Sequence, residues 1–285
     1  MISSRELELK TKSYKSILGI VKAMKALSAA NVRKGSSTLG YTRRYREFID
    51  SSVSLATTFP GVSISSPGRR KLLVAFGSQY GLCGAFNERV LESVEEAEEE
   101  LGEVVGLVLV GRRFADLAQA VYKAEPGKPV EVVEAPGSVD GLAETINVLL
   151  ETLYIKYKND EFDEMYFVFP SFVNDALFLQ RRVALPPPFM PHEDGPEPPL
   201  LYIPPSEVME GLVEEYLYVN LFSTALETVI AENESRMRSM DYAQRSIKKK
   251  VEELATSYNY ALQEEITSEL LEIIGGYEAL RGDRA

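Results

Sequence analysis

The stretch from Ser206 to Arg281 carries no proline and, apart from Gly211, no glycine before Gly275-Gly276. It places an apolar residue every three or four positions, the spacing of one continuous helix. At about 1.5 Å of rise per residue, that helix is about 110 Å long. A globule of 285 residues cannot enclose such a rod. The rod must lie along a second long helix and, for the rest of its surface, along other polypeptides. The residues before Pro60 supply the second helix. Ile17, Val21, Met24 and Leu27 form one stripe on it, beside a small face of Ala23, Ala26, Ala29 and Ala30. Gly19, Gly35 and Gly40 each weaken this helix by about 1 kcal/mol relative to alanine, so packing must hold it.

Charge supports the pairing. Residues 1–50 carry a net charge of +7 and residues 206–285 a net charge of −8, in a chain of −12. Two such rods attract when antiparallel, although salt screens the attraction beyond about 8–10 Å. A basic helix also suits nucleic acid, but the acidic helix competes for it, and no nucleic-acid partner is expected. The second rod's stripe runs through Met240, Ala243, Ile247, Val251, Leu254, Tyr258, Leu262, Ile266, Leu270, Ile273, Tyr277 and Leu280. Its period is about 3.6 residues rather than a strict heptad, which predicts loose wrapping.

Between the rods the pattern alternates. Lys71–Gly77, Val104–Val110, Pro129–Val133, Met165–Phe169 and Ala176–Val183 read as strands. Phe86–Glu100, Phe114–Tyr122 and Val139–Lys158 read as helices. This order predicts a largely parallel sheet covered by helices. Ser63–Gly68 reads as a linker, and a proline-rich loop from Pro186 to Pro205 closes the domain. The expected fold is thus α/β: a long antiparallel helical coiled coil from the two termini with a Rossmann-like insert. Its segments are 1–60, 69–204 and 205–285.

Little chemistry is visible. One cysteine, Cys83, forbids an intrachain disulfide and suits a reducing compartment. One histidine, His192, lies in an acidic, proline-rich loop. No apolar run of about 20 residues predicts a membrane span, and Met1–Glu6 has no secretory h-region. The turn Gly77-Ser78-Gln79-Tyr80-Gly81-Leu82-Cys83-Gly84 stands between a strand and a helix, where phosphate loops occur. It lacks both the Lys-Ser/Thr of a P-loop and the dinucleotide spacing. Cys83 has no neighbouring base in sequence to activate it. The runs Glu95–Glu100 and Lys248–Lys250 read as solvated helix faces. No catalytic residue, metal ligand or cofactor is expected, and the chain is not expected to be an enzyme on its own.

Several segments carry a family resemblance. Ile20-Val21-Lys22-Ala23-Met24-Lys25-Ala26-Leu27-Ser28-Ala29-Ala30 is similar to the N-terminal helix signature of the γ subunit of F-type ATP synthases. Gly81-Leu82-Cys83-Gly84, followed by Phe86-Asn87, resembles that family's Gly-Leu-Cys-Gly turn. Glu232, Arg236-Met237, Tyr258-Asn259 and Ile266–Gly276 follow its C-terminal helix in order and spacing. There are departures. Gln79-Tyr80 stand in place of Asp-Arg, Ile17-Leu18-Gly19 in place of Thr-Gln-Lys, and Leu262 in place of an arginine. Gly276–Leu280, Met24–Leu27 and Phe76–Ser78 look more like the divergent N-type branch, often associated with sodium transport. Ion choice resides in the membrane ring.

The resemblance implies the central shaft of a rotary motor. The shaft turns inside a hexamer of α and β subunits, beside an ε subunit, on a ring of c subunits. It couples ion flow to ATP synthesis or hydrolysis at the β subunits, at the cytoplasmic face of a bacterial or archaeal plasma membrane, without inserting into that membrane itself. It further implies that Lys22, Met24, Glu232, Arg236, Gln263 and Thr267 meet the β subunits and that Tyr202 meets the c ring. A stand-alone nucleotide-binding α/β domain with helical arms is the alternative reading. A coiled-coil scaffold is a third.

Overall fold

Short, largely apolar runs build a five-stranded sheet in the computed structural model, which describes residues 3–59, 62, 68–122, 129–173, 176–187 and 201–282. The strands are β1 (Lys71–Phe76), β2 (Val104–Val110), β3 (Val130–Val133), β4 (Glu164–Val173) and β5 (Ala176–Leu185), in the order β3-β2-β1-β4-β5. β1 to β4 are parallel and β5 is antiparallel to β4. The helices are α1 (Ser4–Ala56), α2 (Phe86–Leu101), α3 (Arg112–Tyr122), α4 (Leu142–Lys158) and α5 (Pro205–Gly282). His192 and the linker 63–67 lie outside the described residues.

The chain divides into two compact units, one of residues 1–26 with 238–285 and one of residues 27–237. The division falls within the two long helices rather than at their ends.

In the larger unit the central strands β1, β2 and β4 are buried on both faces, as parallel strands are. Leu72, Val74, Phe76, Phe167 and Phe169 point to one face, against Leu142, Ile146 and Leu149 of α4 and Leu221, Leu226 and Ile230 of α5. Leu73, Ala75, Leu107 and Leu109 point to the other, against Val90 and Val94 of α2 and Phe114 of α3. Each such large side chain contributes about 1.5–3 kcal/mol by leaving water. β4 extends beyond the strand expected at Met165–Phe169 and carries Pro170 within it, opposite Leu179 of β5. β1 pairs with β4 only as far as Val168. On its β1 side Pro170 therefore has no ladder bond to break, which makes the proline tolerable.

α1 buries a line that its hydrophobic pattern does not mark. Leu7, Val21, Ser28, Gly35, Thr42, Ile49 and Ala56 are all buried, with Tyr14 half-buried between the first two. They recur every seventh residue, the repeat of a supercoiled helix. The expected stripe is partly wrong: Val21 faces inward, whereas Ile17 and Leu27 are exposed. Gly35 sits where the larger unit's segments of α1 and α5 approach closely, because a Cβ there would lie 2.6 Å from Cγ1 of Ile230.

The smaller unit pairs the start of α1 with the last part of α5. Lys25 bonds Asp241, which also holds Arg245 at 2.8 Å. The Ser4 N–H donates to Glu265 at 3.0 Å. Met240 and Leu254 are buried, but Leu262, Ile266, Leu270 and Ile273 of the same expected stripe are exposed. α1 begins opposite Glu265, so α5 beyond that point has no α1 residue beside it.

Candidate partner-contact site

The turn after β1 is fixed from several directions. Gly77 is obligatory, since a Cβ there would lie 2.2 Å from Cγ of Phe114. Its N–H donates to the Val110 carbonyl at 2.8 Å. The buried Asn87 amide donates to Ser78 Oγ at 2.8 Å, and Asn87 Oδ1 accepts the Ser78 N–H at 3.1 Å. Gln79 Oε1 accepts the N–H groups of Arg112 at 3.1 Å and Ala135 at 2.9 Å, joining the ends of β2 and β3.

The next two N–H groups receive a carboxylate from α5. Gln79 N–H donates to Glu232 Oε2 at 3.3 Å and Tyr80 N–H to Glu232 Oε1 at 3.2 Å. Arg236, one helical turn on, bonds the same Oε1. It also donates from Nη2 to the Tyr80 carbonyl and from Nε to the Gly81 carbonyl, both at 3.2 Å. Glu232 is 3% exposed and Arg236 7%. Burial pushes the Glu232 carboxyl up from its ordinary range, against the pull of Arg236 and the two N–H groups.

Glu232 and Arg236 are among the residues expected to meet the β subunits. Their polar groups are engaged by their own chain. What faces solvent is what they hold: Tyr80 is 57% exposed and Leu82 59%. Leu82 has φ of 67°, a left-handed conformation that costs a branched side chain about 1–2 kcal/mol. An exposed leucine regains nothing from packing within the chain. The sequence reading names Tyr80 and Leu82 only as members of the turn, not as contact residues. The left-handed backbone falls on a non-glycine residue between Gly81 and Gly84, so the residue pattern alone does not disclose it. Cys83 is buried behind them, and burial raises its thiol pKa. It is not an activated nucleophile.

The other expected contact residues lie elsewhere. Lys22 is exposed and Met24 half-buried on α1, one on each side of the buried line. Gln263 and Thr267 are both exposed one turn apart on α5, and Thr267 Oγ1 donates to the Gln263 carbonyl at 2.7 Å. Tyr202, before α5, is 93% exposed. The structure places Lys22, Met24, Gln263 and Thr267 in the smaller unit and Tyr202, Glu232 and Arg236 in the larger. Among the described residues there is no cluster of metal-ligating side chains and no helix long and apolar enough to cross a membrane.

Two long terminal helices that flank, in sequence, an α/β insert with a five-stranded sheet define the class of fold to which this chain belongs. A family model described as ATP synthase matches residues 3–280. The ATP synthase gamma chain of Pelotomaculum thermopropionicum is 30% identical over 293 residues, covering 98% of this chain and 100% of that one. That of Geobacter metallireducens is 29% identical over 303 residues, covering 99% and 100%. Among solved structures, a chain of the Euglena gracilis mitochondrial ATP synthase (OSCP/F1/c-ring) superposes with a TM-score of 0.66 at 18% identity, over 99% of this chain and 96% of that one. A chain of the Tetrahymena thermophila mitochondrial ATP synthase central stalk and c-ring gives 0.57 at 18% identity, over 79% and 99%. The chain belongs to the ATP synthase γ-chain family.

Proposed function

We propose that this γ chain is the rotor shaft of its complex, gripped by α and β subunits and seated on a membrane ring of c subunits with an ε subunit beside it. The observation that carries this is the unpaired end of α5. Ile266, Leu270, Leu271, Ile273 and Ile274 are exposed along one side of a helix that α1 no longer covers. An exposed apolar stripe on a helix needs an apolar surface to cover it, and a sleeve of other subunits supplies one.

On this reading the shaft performs no bond chemistry. It biases each β subunit through contacts that differ with its orientation, and it moves their equilibria only by the difference in contact free energy. Lys22, Met24, Gln263 and Thr267 meet β subunits directly. Glu232 and Arg236 act from behind, holding Tyr80 and Leu82 toward the same neighbours. Tyr202 meets the ring. The complex sits at the cytoplasmic face of a bacterial or archaeal plasma membrane. The rival reading, a free nucleotide-binding domain, is disfavoured because Glu232 already occupies the N–H groups that a phosphate would use.

The test is purification of the native complex through a tag on this chain. Recovery of α, β, ε and c subunits with one copy of the tagged chain is the expected result. A stable monomer that recovers none of them and binds a nucleotide saturably overturns the proposal.

A further inference from the structure

In doubly wound sheets ligands bind outside the carboxyl ends of the strands, where the strand order reverses. Here that place lies between β1 and β4, because the chain leaves β1 toward β2 and β3 and returns on the other side as β4. The turn after β1 presents two successive backbone N–H groups there, an arrangement that makes an anion-binding concavity. Each N–H bonds a different oxygen of Glu232. The Arg236 guanidinium completes the set on Oε1.

We propose that this turn is an oxyanion cradle whose ligand is the chain's own Glu232 carboxylate, and that truncating Glu232 turns it into a binding site for a small free carboxylate such as formate. The cradle is built independently of its occupant. Arg236 stays oriented through the Tyr80 and Gly81 carbonyls and through Asn233 Oδ1, which accepts from Nη1 at 3.2 Å. Ser78 and Gln79 stay fixed through Asn87, Arg112 and Ala135. α5 stays in place through Leu221, Leu226 and Ile230 in the core. A Glu232→Ala change therefore removes a carboxylate-sized group and leaves its donors aimed at the gap. The inference concerns contacts within one chain and stands whether or not the proposed partners are correct.

The experiment compares the wild-type full-length chain with its Glu232→Ala variant in thermal melts. Sodium formate replaces sodium chloride at constant ionic strength. The variant is expected to melt lower than wild type in chloride and to recover saturably with formate. At ten times the dissociation constant its folding equilibrium shifts about elevenfold, a rise of about 3 °C. Wild type, its cradle filled, does not respond. The double variant Glu232→Ala/Arg236→Ala loses the response. Amide exchange at Gln79 and Tyr80 slows with formate in the single variant only. Equal shifts in wild type and variant, or no shift, overturn the proposal. If Glu232→Ala does not fold even in formate, Glu232→Gln decides. Its amide NH₂ must face one of the N–H donors, so it melts below wild type with faster exchange at the amide left without an acceptor; wild-type stability in that variant also overturns the proposal.

Discussion

Two glycines five residues apart in α1 should respond oppositely to the same substitution. At Gly40 an added Cβ meets no atom within 4 Å. Gly40→Ala then gains helix propensity and loses unfolded-state freedom, a stabilisation of about 0.5–1 kcal/mol. At Gly35 the same gain applies, but the new Cβ lies 2.6 Å from Cγ1 and 3.1 Å from Cδ1 of the buried Ile230, and 3.6 Å from Cγ2 of Val139. Overpacking of that kind costs about 1–3 kcal/mol. The propensity gain cancels between the two sites, so Gly35→Ala should lie about 1–3 kcal/mol below Gly40→Ala, and most of that range makes it destabilising. Urea denaturation of the purified chain, followed by far-ultraviolet circular dichroism, measures both. In an Ile230→Ala background the obstruction is gone, and Gly35→Ala should regain the sign of Gly40→Ala. Equal stabilisation at the two glycines, or a penalty that survives Ile230→Ala, refutes close approach of the helices as the reason for Gly35.

Leu82→Gly relieves left-handed strain of about 1–2 kcal/mol while adding about 0.5–1 kcal/mol of unfolded-state freedom. The isolated chain should melt no lower than wild type, while ion pumping per ATP in the assembled complex falls; a lower melting point contradicts the strain argument. Asp163 accepts from Arg70 and from the N–H groups of Arg69 and Arg70, and its carboxyl is held down at about 2 from an ordinary 3.8. A depressed carboxyl stabilises the fold above its unfolded pKa and ceases to do so as pH falls through the folded value. The stability difference between wild type and Asp163→Asn should therefore be full above pH 4 and vanish toward pH 2 in acid titration; a difference that grows on acidification reverses the sign and rejects the assignment. Ending the chain after Glu265 should leave its thermal midpoint unchanged and reduce its self-association in light scattering, since the residues removed have no α1 partner. A large fall in the midpoint shows that they pack within the chain.

The order of strands and helices was legible because each announces itself over a few neighbouring residues. Lys71–Phe76 and Val104–Val110 are continuous apolar runs, and α2 and α4 have a helical period. The buried line of α1 was hidden because Ser28, Gly35 and Thr42, which occupy three of its positions, are not hydrophobic. Close approach selects small side chains there. The more apolar Ile17 and Leu27 drew the eye to the wrong angle and are exposed. Pro170 suggested a break because the sequence does not show that β1 ends two residues earlier on that side. In the site, the Gly77–Gly84 turn was recognisable as a strand-to-helix connection. Its occupant was not, because Glu232 lies 153 residues from Gln79 in sequence and no local pattern joins the two.

The larger unit takes its core from both ends of residues 27–237, which sets a schedule for its synthesis. The four parallel strands and β5 have all been translated before Leu221, Leu226 and Ile230. Until then the sheet face bearing Val74, Phe76, Phe167 and Phe169 lacks α5 as its cover. At about 5–20 residues per second that interval lasts several seconds. A nascent chain in this state is a ready substrate for chaperones, and slow codons between β5 and α5 lengthen its exposure.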